Sequence, residues 1–351
     1  MLSSLDWKLF LPAVLLASIG SLILSSVSPA SYPSQYFFIA LALISYLIFA
    51  KIDFTVYKTL APLFYVLSLV LLLLTLILGT FTRGAVRWIE IGNFTLQTSE
   101  IIKPFVVLFI AWILSTSLES RKIFLLAAVA GFLPFILVFV QPDLGSSLVV
   151  LAGILGAVFF GGISWKIIFG SLFTFALGLP LVWRFLEDYQ KERIMTFIQP
   201  SADPLGAGYN SIQAIIAIGS GGFLGRGLGQ GTQSQLLFLP ERHTDFIFSS
   251  IGEELGFLGA GLVVILFIAL FARLCAIFIN SDDVFSRAFL GGVFLMVFVQ
   301  AAVNIGMNLG ILPITGIPLP FVSSGGSSLL AMAITLGIAT SFTRGLRTGT
   351  R

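Results

Sequence analysis

Long apolar runs with few polar interruptions dominate this chain, and their spacing sets the first expectation. A helix crossing the hydrocarbon core of a bilayer needs about 20 apolar residues. A window of that length finds ten spans, near 8–27, 34–51, 58–81, 101–117, 122–140, 144–162, 166–184, 246–276, 284–307 and 325–343. Several are only a few residues apart, so neighbours must form antiparallel hairpins. The expected fold is an all-α polytopic membrane protein with ten transmembrane helices and one domain over residues 1–351. One long loop, about 185–245, joins the seventh and eighth spans. Loops of that length in a compact protein tend to carry function. Within it, residues 209–221 read as an amphipathic helix lying at the membrane interface. Two shorter polar segments, 82–100 and 308–328, also separate spans, the second free of charge and rich in Gly, Pro and Ser.

Composition supports the membrane assignment. Hydrophobic residues make up 57% of the chain and only 10% are charged, with a mean hydropathy of +1.05. A soluble protein of this size could not cover its surface with so few polar atoms. The first run is too long for a signal h-region and is expected to stay as a span. Basic residues set the orientation. Lys8, Lys51, Lys58, Arg121, Lys122, Lys166, Arg273, Arg287, Arg344, Arg347 and Arg351 fall on one side, against Arg83, Arg87 and Lys103 in short loops on the other. The positive-inside rule then puts both termini in the cytoplasm and the long loop outside. The net charge of +3 comes from few residues and does not point to nucleic acid. Cys275 is the only cysteine and His243 the only histidine, which leaves carboxylates as the available ligands for any metal, of unknown identity.

Charge in such a chain is costly, about 2.5–3.5 kcal/mol per group at bilayer depth, and marks candidate function. The densest cluster is Leu239-Pro-Glu-Arg-His-Thr-Asp-Phe-Ile-Phe, running into a span that also carries Glu253 and Glu254. Asp245, at the mouth of that span, reads either as a helix N-cap or as a general base held rigidly beside a substrate. Arg242 and His243 flank it. At least one of Glu253 and Glu254 is expected to be paired or neutral, with Lys103 or Arg193 as the natural partner. Glu100 and Lys103 are i, i+3 neighbours and can pair. Asp143 resembles a helix cap after Pro142, and Arg87-Trp88 an interfacial anchor. The run from Gly219 to Gly229, containing Arg226, reads as a backbone nest for anions and lacks the context of a nucleotide loop, while Gly325-Gly-Ser-Ser reads as a close-packing segment. Two function classes fit these residues: an enzyme acting on a lipid-linked substrate, and a transporter with intramembrane carboxylates. The charges lie toward span ends and no internal repeat is visible, which favours the enzyme.

Ordered blocks along the chain resemble the SEDS family (shape, elongation, division, sporulation), that of RodA, FtsW and SpoVE. They are Arg87-Trp-Ile-x-Ile-Gly, Ser99-Glu-x-x-Lys-Pro, Gln141-Pro-Asp-Leu-Gly-Ser-Ser, Arg193-Ile-x-x-Phe, and the 239–248 block with Gly252-Glu-Glu-Leu-Gly. Asn304-x-Gly-Met and the run from Leu312 to Ser328 complete them. The resemblance implies a ten-span peptidoglycan glycosyltransferase of the bacterial cytoplasmic membrane, polymerising lipid II on the outer face. A class B penicillin-binding protein and other membrane proteins of the elongation complex would be partners. Mg2+ or Mn2+ is a possible cofactor, with no organic one. It also implies that the family's essential aspartate is Asp245 and its loop tryptophan Trp88, with Glu100, Lys103 and Asp143 in the matching motifs. Arg193, Arg226, Arg242 or Lys103 would meet the leaving pyrophosphate. Asp203-Pro-Leu-Gly-Ala-Gly-Tyr and Gly231-Thr-Gln-Ser-Gln look more like the elongation branch, RodA, than the division branch, with the division and sporulation roles and a lipid II flippase as alternatives. Thr98 stands where many relatives carry Pro.

Overall fold

The computed structural model describes residues 5–162 and 208–348, apart from 30–31, 83–84, 93 and 117–119, together with isolated positions between 166 and 197. Helices α1 (Trp7–Val27), α2 (Tyr32–Lys51) and α3 (Phe54–Leu78) follow the first three apolar runs closely. Asp6 and Asp53 cap α1 and α3 by accepting main-chain N–H groups. After α3 the chain departs from the all-helical expectation. β1 (Thr80–Thr82), β2 (Ala85–Ile91) and β3 (Phe94–Gln97) form a three-stranded antiparallel meander in the order β1-β2-β3. Its register pairs Trp88 with Gln97, Glu90 with Thr95 and Ile91 with Phe94. β-branched and aromatic residues interleaved with polar ones on either side of Gly92 favour a hairpin over a polar coil.

The fourth expected span is broken. α4 (Thr98–Ile101) and α5 (Lys103–Leu114) meet at Ile102. Pro104 has no N–H to give the Glu100 carbonyl, so the helical ladder is interrupted there. α6 (Ser120–Val140) and α7 (Leu144–Phe160) follow. The expected span 166–184 lies outside the described residues. Next come α8 (Tyr209–Gly221), the short α9 (Thr232–Gln235), α10 (Ile247–Ile279), α11 (Val284–Asn308) and α12 (Gly326–Thr348). Seven described helices are long and apolar enough to cross a membrane, α7 being a shorter apolar one. Three of the ten expected spans are thus two short helices and a segment not described.

Two helices make the centre. The apolar windows of α11 and α12 are 61% and 89% buried, against 22–33% for the other five long helices. Glycines allow the closest approaches. A Cβ at Gly156 would lie 2.6 Å from the Gly291 carbonyl oxygen, and one at Gly292 2.8 Å from that of Gly153. Such small-residue seams are how helices pack where lipid supplies no hydrophobic drive between them. The outward faces of α3 and α6 instead expose leucine, valine and phenylalanine, suited to lipid.

α10 is two helices stitched across a break. Gly256 has φ +68°, and at that point its regular ladder stops. The glycine-rich loop after α8 fills the gap: Arg226 and Gly227 donate their N–H groups to the carbonyls of Glu253 and Glu254, at 2.9 and 3.0 Å. In return Phe257 and Leu258 donate to the carbonyls of Gly222 and Phe223, at 2.9 and 3.3 Å. A Cβ on Gly256 would lie 2.2 Å from the Gly225 nitrogen, so only glycine admits this contact. Non-helical backbone at membrane depth requires such re-satisfaction from protein. Two N–H groups of the supposed anion nest are therefore committed to this helix.

Candidate active site

The chain from Glu241 to Phe246 forms a turn ahead of α10, and its carbonyls are taken one after another. Glu241 O accepts from the N–H groups of Thr244 and Phe246, at 3.1 and 3.2 Å. Arg242 O accepts from Ser250 Oγ at 3.2 Å. His243 O accepts from the Ser324 N–H at 2.9 Å. Thr244 O accepts from Ser323 Oγ at 2.6 Å. Asp245 O receives both Asn304 Nδ2 and Asn308 Nδ2, at 3.0 and 2.9 Å. Four consecutive carbonyls, from Arg242 to Asp245, thus hold the turn to α10, α11 and residues 323–324, while that of Glu241 closes the turn on itself. Asp245 is half-buried, one residue before the helix N-cap, Phe246, and that end has no side-chain cap. The N-cap reading of Asp245 is thereby corrected: the turn is fixed by its carbonyls, and the helix begins one residue later than a capping aspartate would require.

The amides on α11 are residues that the sequence reading left without a role. Gln300, Asn304 and Asn308 recur every four positions and share one face of the helix. Asn308 Oδ1 also accepts from the N–H and Oγ of Ser249, at 2.9 and 2.6 Å. Asn304 Nδ2 also donates to Ile317 O at 2.8 Å, and Gln300 Nε2 to Pro318 O at 3.1 Å. Polar residues at helical spacing on one face of an apolar helix were the available signal.

At its other end the amide row meets a second cluster. Gln300 Oε1 accepts from Lys103 Nζ at 3.2 Å. Lys103 Nζ also lies 2.5 Å from Glu100 Oε1, both side chains being fully buried. Lys103 is therefore enclosed and committed, and it is withdrawn as a ligand for a leaving group. Asp143 caps α7 through Ser146 N–H at 3.1 Å, as expected, and also accepts from Gln97 Nε2 and Ser99 Oγ, at 3.0 and 3.2 Å. Trp88 stands opposite Gln97 in the sheet. Its neighbour Arg87 donates to the carbonyls of Gln141 and Pro142, gripping the turn before α7. Thr98, the departure from many relatives, is buried and hydrogen-bonded to Thr75 at 2.7 Å.

Other expectations need correction. Glu253 and Glu254 take neutral donors. Glu253 accepts the N–H groups of Gln233 and Ser234 and the Ser234 hydroxyl, at 2.8, 3.0 and 2.6 Å. Glu254 accepts Ser26 Oγ and Gln235 Nε2, at 2.6 and 3.1 Å. Main-chain N–H groups and hydroxyls satisfy a buried carboxylate without a second charge having to leave water. Arg226 is exposed, with Nε on Ser220 O and Nη1 on Thr232 Oγ1, each at 3.2 Å. Arg242 Nε donates to Val27 O at 2.9 Å, tying the turn to the end of α1. Arg193 lies outside the described residues. Among the described residues no three of His, Cys, Asp and Glu come together to hold a metal ion.

Comparison with known proteins shows the family to which a chain of this fold and sequence belongs. Residues 4–347 match a cell cycle protein family, that of FtsW, RodA and SpoVE. The peptidoglycan glycosyltransferase MrdB of Escherichia coli K12 is 43% identical over 306 residues, covering 86% of this chain and 83% of MrdB. Stage V sporulation protein E of Bacillus subtilis is 33% identical, covering 97% of this chain and 98% of that protein. Among solved structures, the rod shape determining protein RodA of Thermus thermophilus superposes with a TM-score of 0.74 at 30% identity, with 97% of each chain covered. A chain from a structure on polymerisation and crosslinking by a peptidoglycan synthase complex superposes with a TM-score of 0.85 at 32% identity, covering 97% of this chain and 98% of that one.

Proposed function

This chain belongs to the family of FtsW, RodA and SpoVE cell cycle proteins, and we propose on that footing that it is an integral-membrane peptidoglycan glycosyltransferase. Its substrate is lipid II, its product a β-1,4 glycan strand, and its setting the elongation of the cell. The 43% identity to MrdB supports the elongation branch. Ten spans follow from the apolar runs, and both termini in the cytoplasm with a site on the outer face of the cytoplasmic membrane from the distribution of basic residues. A class B penicillin-binding protein and other elongation-complex proteins are the partners, in keeping with the likeness to a peptidoglycan synthase complex chain.

The observation that carries the mechanism is the turn at 241–246, whose carbonyls are held by five sets of donors. Joining the 4-hydroxyl of one sugar to an α-linked donor with a β-outcome inverts the anomeric carbon, so one in-line displacement suffices. The acceptor oxygen bonds to that carbon, the carbon–oxygen bond to pyrophosphate breaks, and the leaving group takes the electron pair. Asp245 takes the acceptor proton. Such a base contributes about 10²–10⁴-fold when its position is rigid, and the held carbonyls supply the rigidity. Arg242, three residues before Asp245 and tied to α1, is the described cation assigned to the pyrophosphate, with Arg226 and Arg193 as further candidates. His243 lines the same turn. Trp88, Glu100, Lys103 and Asp143 shape the support behind it. Mg2+ or Mn2+ enters only as a counter-ion on the substrate's pyrophosphate.

The test is glycan-chain formation from lipid II by purified protein with its cognate penicillin-binding protein and Mg2+ or Mn2+. Wild type is expected to make polymer and Asp245→Asn to lose at least a hundredfold. Polymer at the normal rate from well-folded Asp245→Asn would remove the base assignment.

A further inference from the structure

An apolar cavity of about 390 Å³ lies between α1, α2 and α12. It follows α1 from Phe10 to Leu22, roughly 18 Å of helix. Small side chains hollow it out: Ala13 and Ala17 on α1, Ala42 on α2 and Ala333 on α12. Its few polar groups are already engaged. Ser18 and Ser21 donate back to Val14 O and Ala17 O, each at 2.8 Å. The Tyr46 hydroxyl is bonded to Thr340 Oγ1 at 2.9 Å, and the Phe10 and Tyr46 rings, 5.1 Å apart, close the inner end. At the other end the hydroxyls of Tyr32 and Tyr36 bond each other. The interior therefore offers hydrocarbon and no unsatisfied hydrogen-bonding group.

One wall joins the cavity to the turn that carries Asp245. Phe321 lines it and holds a left-handed backbone, φ +65°, which is strained for a bulky side chain. The next residue, Val322, presses on α1 where Gly20 has no Cβ: one built there would lie 2.3 Å from Val322 O. The residue after that, Ser323, bonds Thr244 O at 2.6 Å, beside Asp245. Two residues thus separate the hydrocarbon cavity from the held turn.

We propose that this cavity seats the first isoprene units of the polyprenyl tail of the lipid-linked substrate. The inference rests on the glycosyltransferase reading, which places a pyrophosphate-linked tail at Asp245 and requires an apolar path leading from it. A whole partner helix does not fit, since 18 Å of helix with a diameter near 10 Å needs roughly 1,400 Å³, more than the 1040 Å³ of empty space that the cleft holds together with its open mouth. Transfer from lipid to this cavity gains little hydrophobic free energy, because both are apolar. Its use is orientation: a tail held at a fixed angle sets where the anomeric carbon stands relative to the turn.

The experiment uses the full chain with Asp245→Asn in lipid nanodiscs, and a polyprenyl pyrophosphate with a diazirine on an early isoprene unit. Labelled peptides are expected from 13–21 of α1 and 329–336 of α12, with labelling suppressed by unlabelled polyprenyl pyrophosphate and unaffected by added phospholipid. Equal suppression by phospholipid, or labelling confined to other helices, overturns the proposal in favour of a bulk-lipid groove or another path. In active protein, Ala17→Trp is expected to cut the rate ratio between long-tailed and short-tailed lipid II about tenfold. An unchanged ratio in folded protein overturns it as well. Labelling needs no turnover, so site labelling alongside wild-type protein that makes no polymer would refute the transferase reading and leave the tail site standing.

Discussion

At Glu100, Lys103 and Asp143 most bonds run from side chain to side chain, whereas at residues 242–245 donors from neighbouring elements end on main-chain carbonyls. In the first region a carboxylate and an ammonium are sealed together, 2.5 Å apart and fully buried, with an amide from α11 as their third member. In the second, donors from Ser250, Ser323, Ser324, Asn304 and Asn308 all end on carbonyl oxygens. Substituting a residue in the first region removes part of what holds it. Substituting a side chain in the turn leaves those bonds in place. Stability and chemistry are thereby assigned to different residues, although one row of amides connects them.

The largest expected effect tests the turn. Asp245→Asn keeps every carbonyl bond, so activity should fall about 10²–10⁴-fold with the unfolding midpoint close to wild type. A large drop in thermal stability would mean that the carboxylate itself holds the turn, and the contrast would collapse. Next is Lys103→Ala, which leaves Glu100 charged and enclosed. Breaking a buried pair this way costs about 3–5 kcal/mol, read as a lower denaturation midpoint in detergent. Replacing both partners, Glu100→Gln with Lys103→Met, should recover most of it. A stable but inactive Lys103→Ala protein would instead move the pair into the chemistry.

How far the sequence carries this reading follows from the same residues. Among the described residues, seven of the ten long apolar runs became long helices nearly where their length put them, because bilayer thickness leaves little choice. Asp143 capped α7 as its place after Pro142 foretold. The break at Gly256 left no local trace, since a glycine inside an apolar run is usually tolerated and this one is opened by a loop about thirty residues earlier. The meander at 80–97 was obscured by its own charges, which suggested coil. The partners of Glu253 and Glu254 were sought among cations, but a fold can answer a carboxylate with main-chain N–H groups that no composition records. Gln300 and Asn308 were visible as a stripe, yet their function depends on where the 317–324 segment folds over them.

Two smaller effects sharpen the comparison. Asn308→Ala removes a donor to Asp245 O and the acceptor for Ser249. It should cost about 1–3 kcal/mol, and steady-state kinetics on lipid II should show kcat falling with KM little changed, because the turn shifts while the substrate surface remains. Equal changes in both constants would make Asn308 a general packing residue. Asp143→Ala loses the α7 cap, worth about 0.5–2 kcal/mol, and its links to Gln97 and Ser99. A thermal-shift assay should find Asp143→Asn intermediate.

The stitched break in α10 has a consequence for how the chain is made. Synthesis runs from the N-terminus, and the groups that meet Glu253 and Glu254, from Ser26 through the 226–235 loop, all precede them. When this helix leaves the ribosome, the donors that hydrogen-bond its two costly carboxylates already exist, so it can enter the membrane with their partners at hand. The turn at Asp245 has the reverse order. Asn304, Asn308, Ser323 and Ser324 are all translated after it, and the turn gains its full set of bonds only once the chain has grown past the start of α12. A nascent chain stalled before that point carries the aspartate without the grip that makes it useful, and the membrane is spared a half-built polymerase.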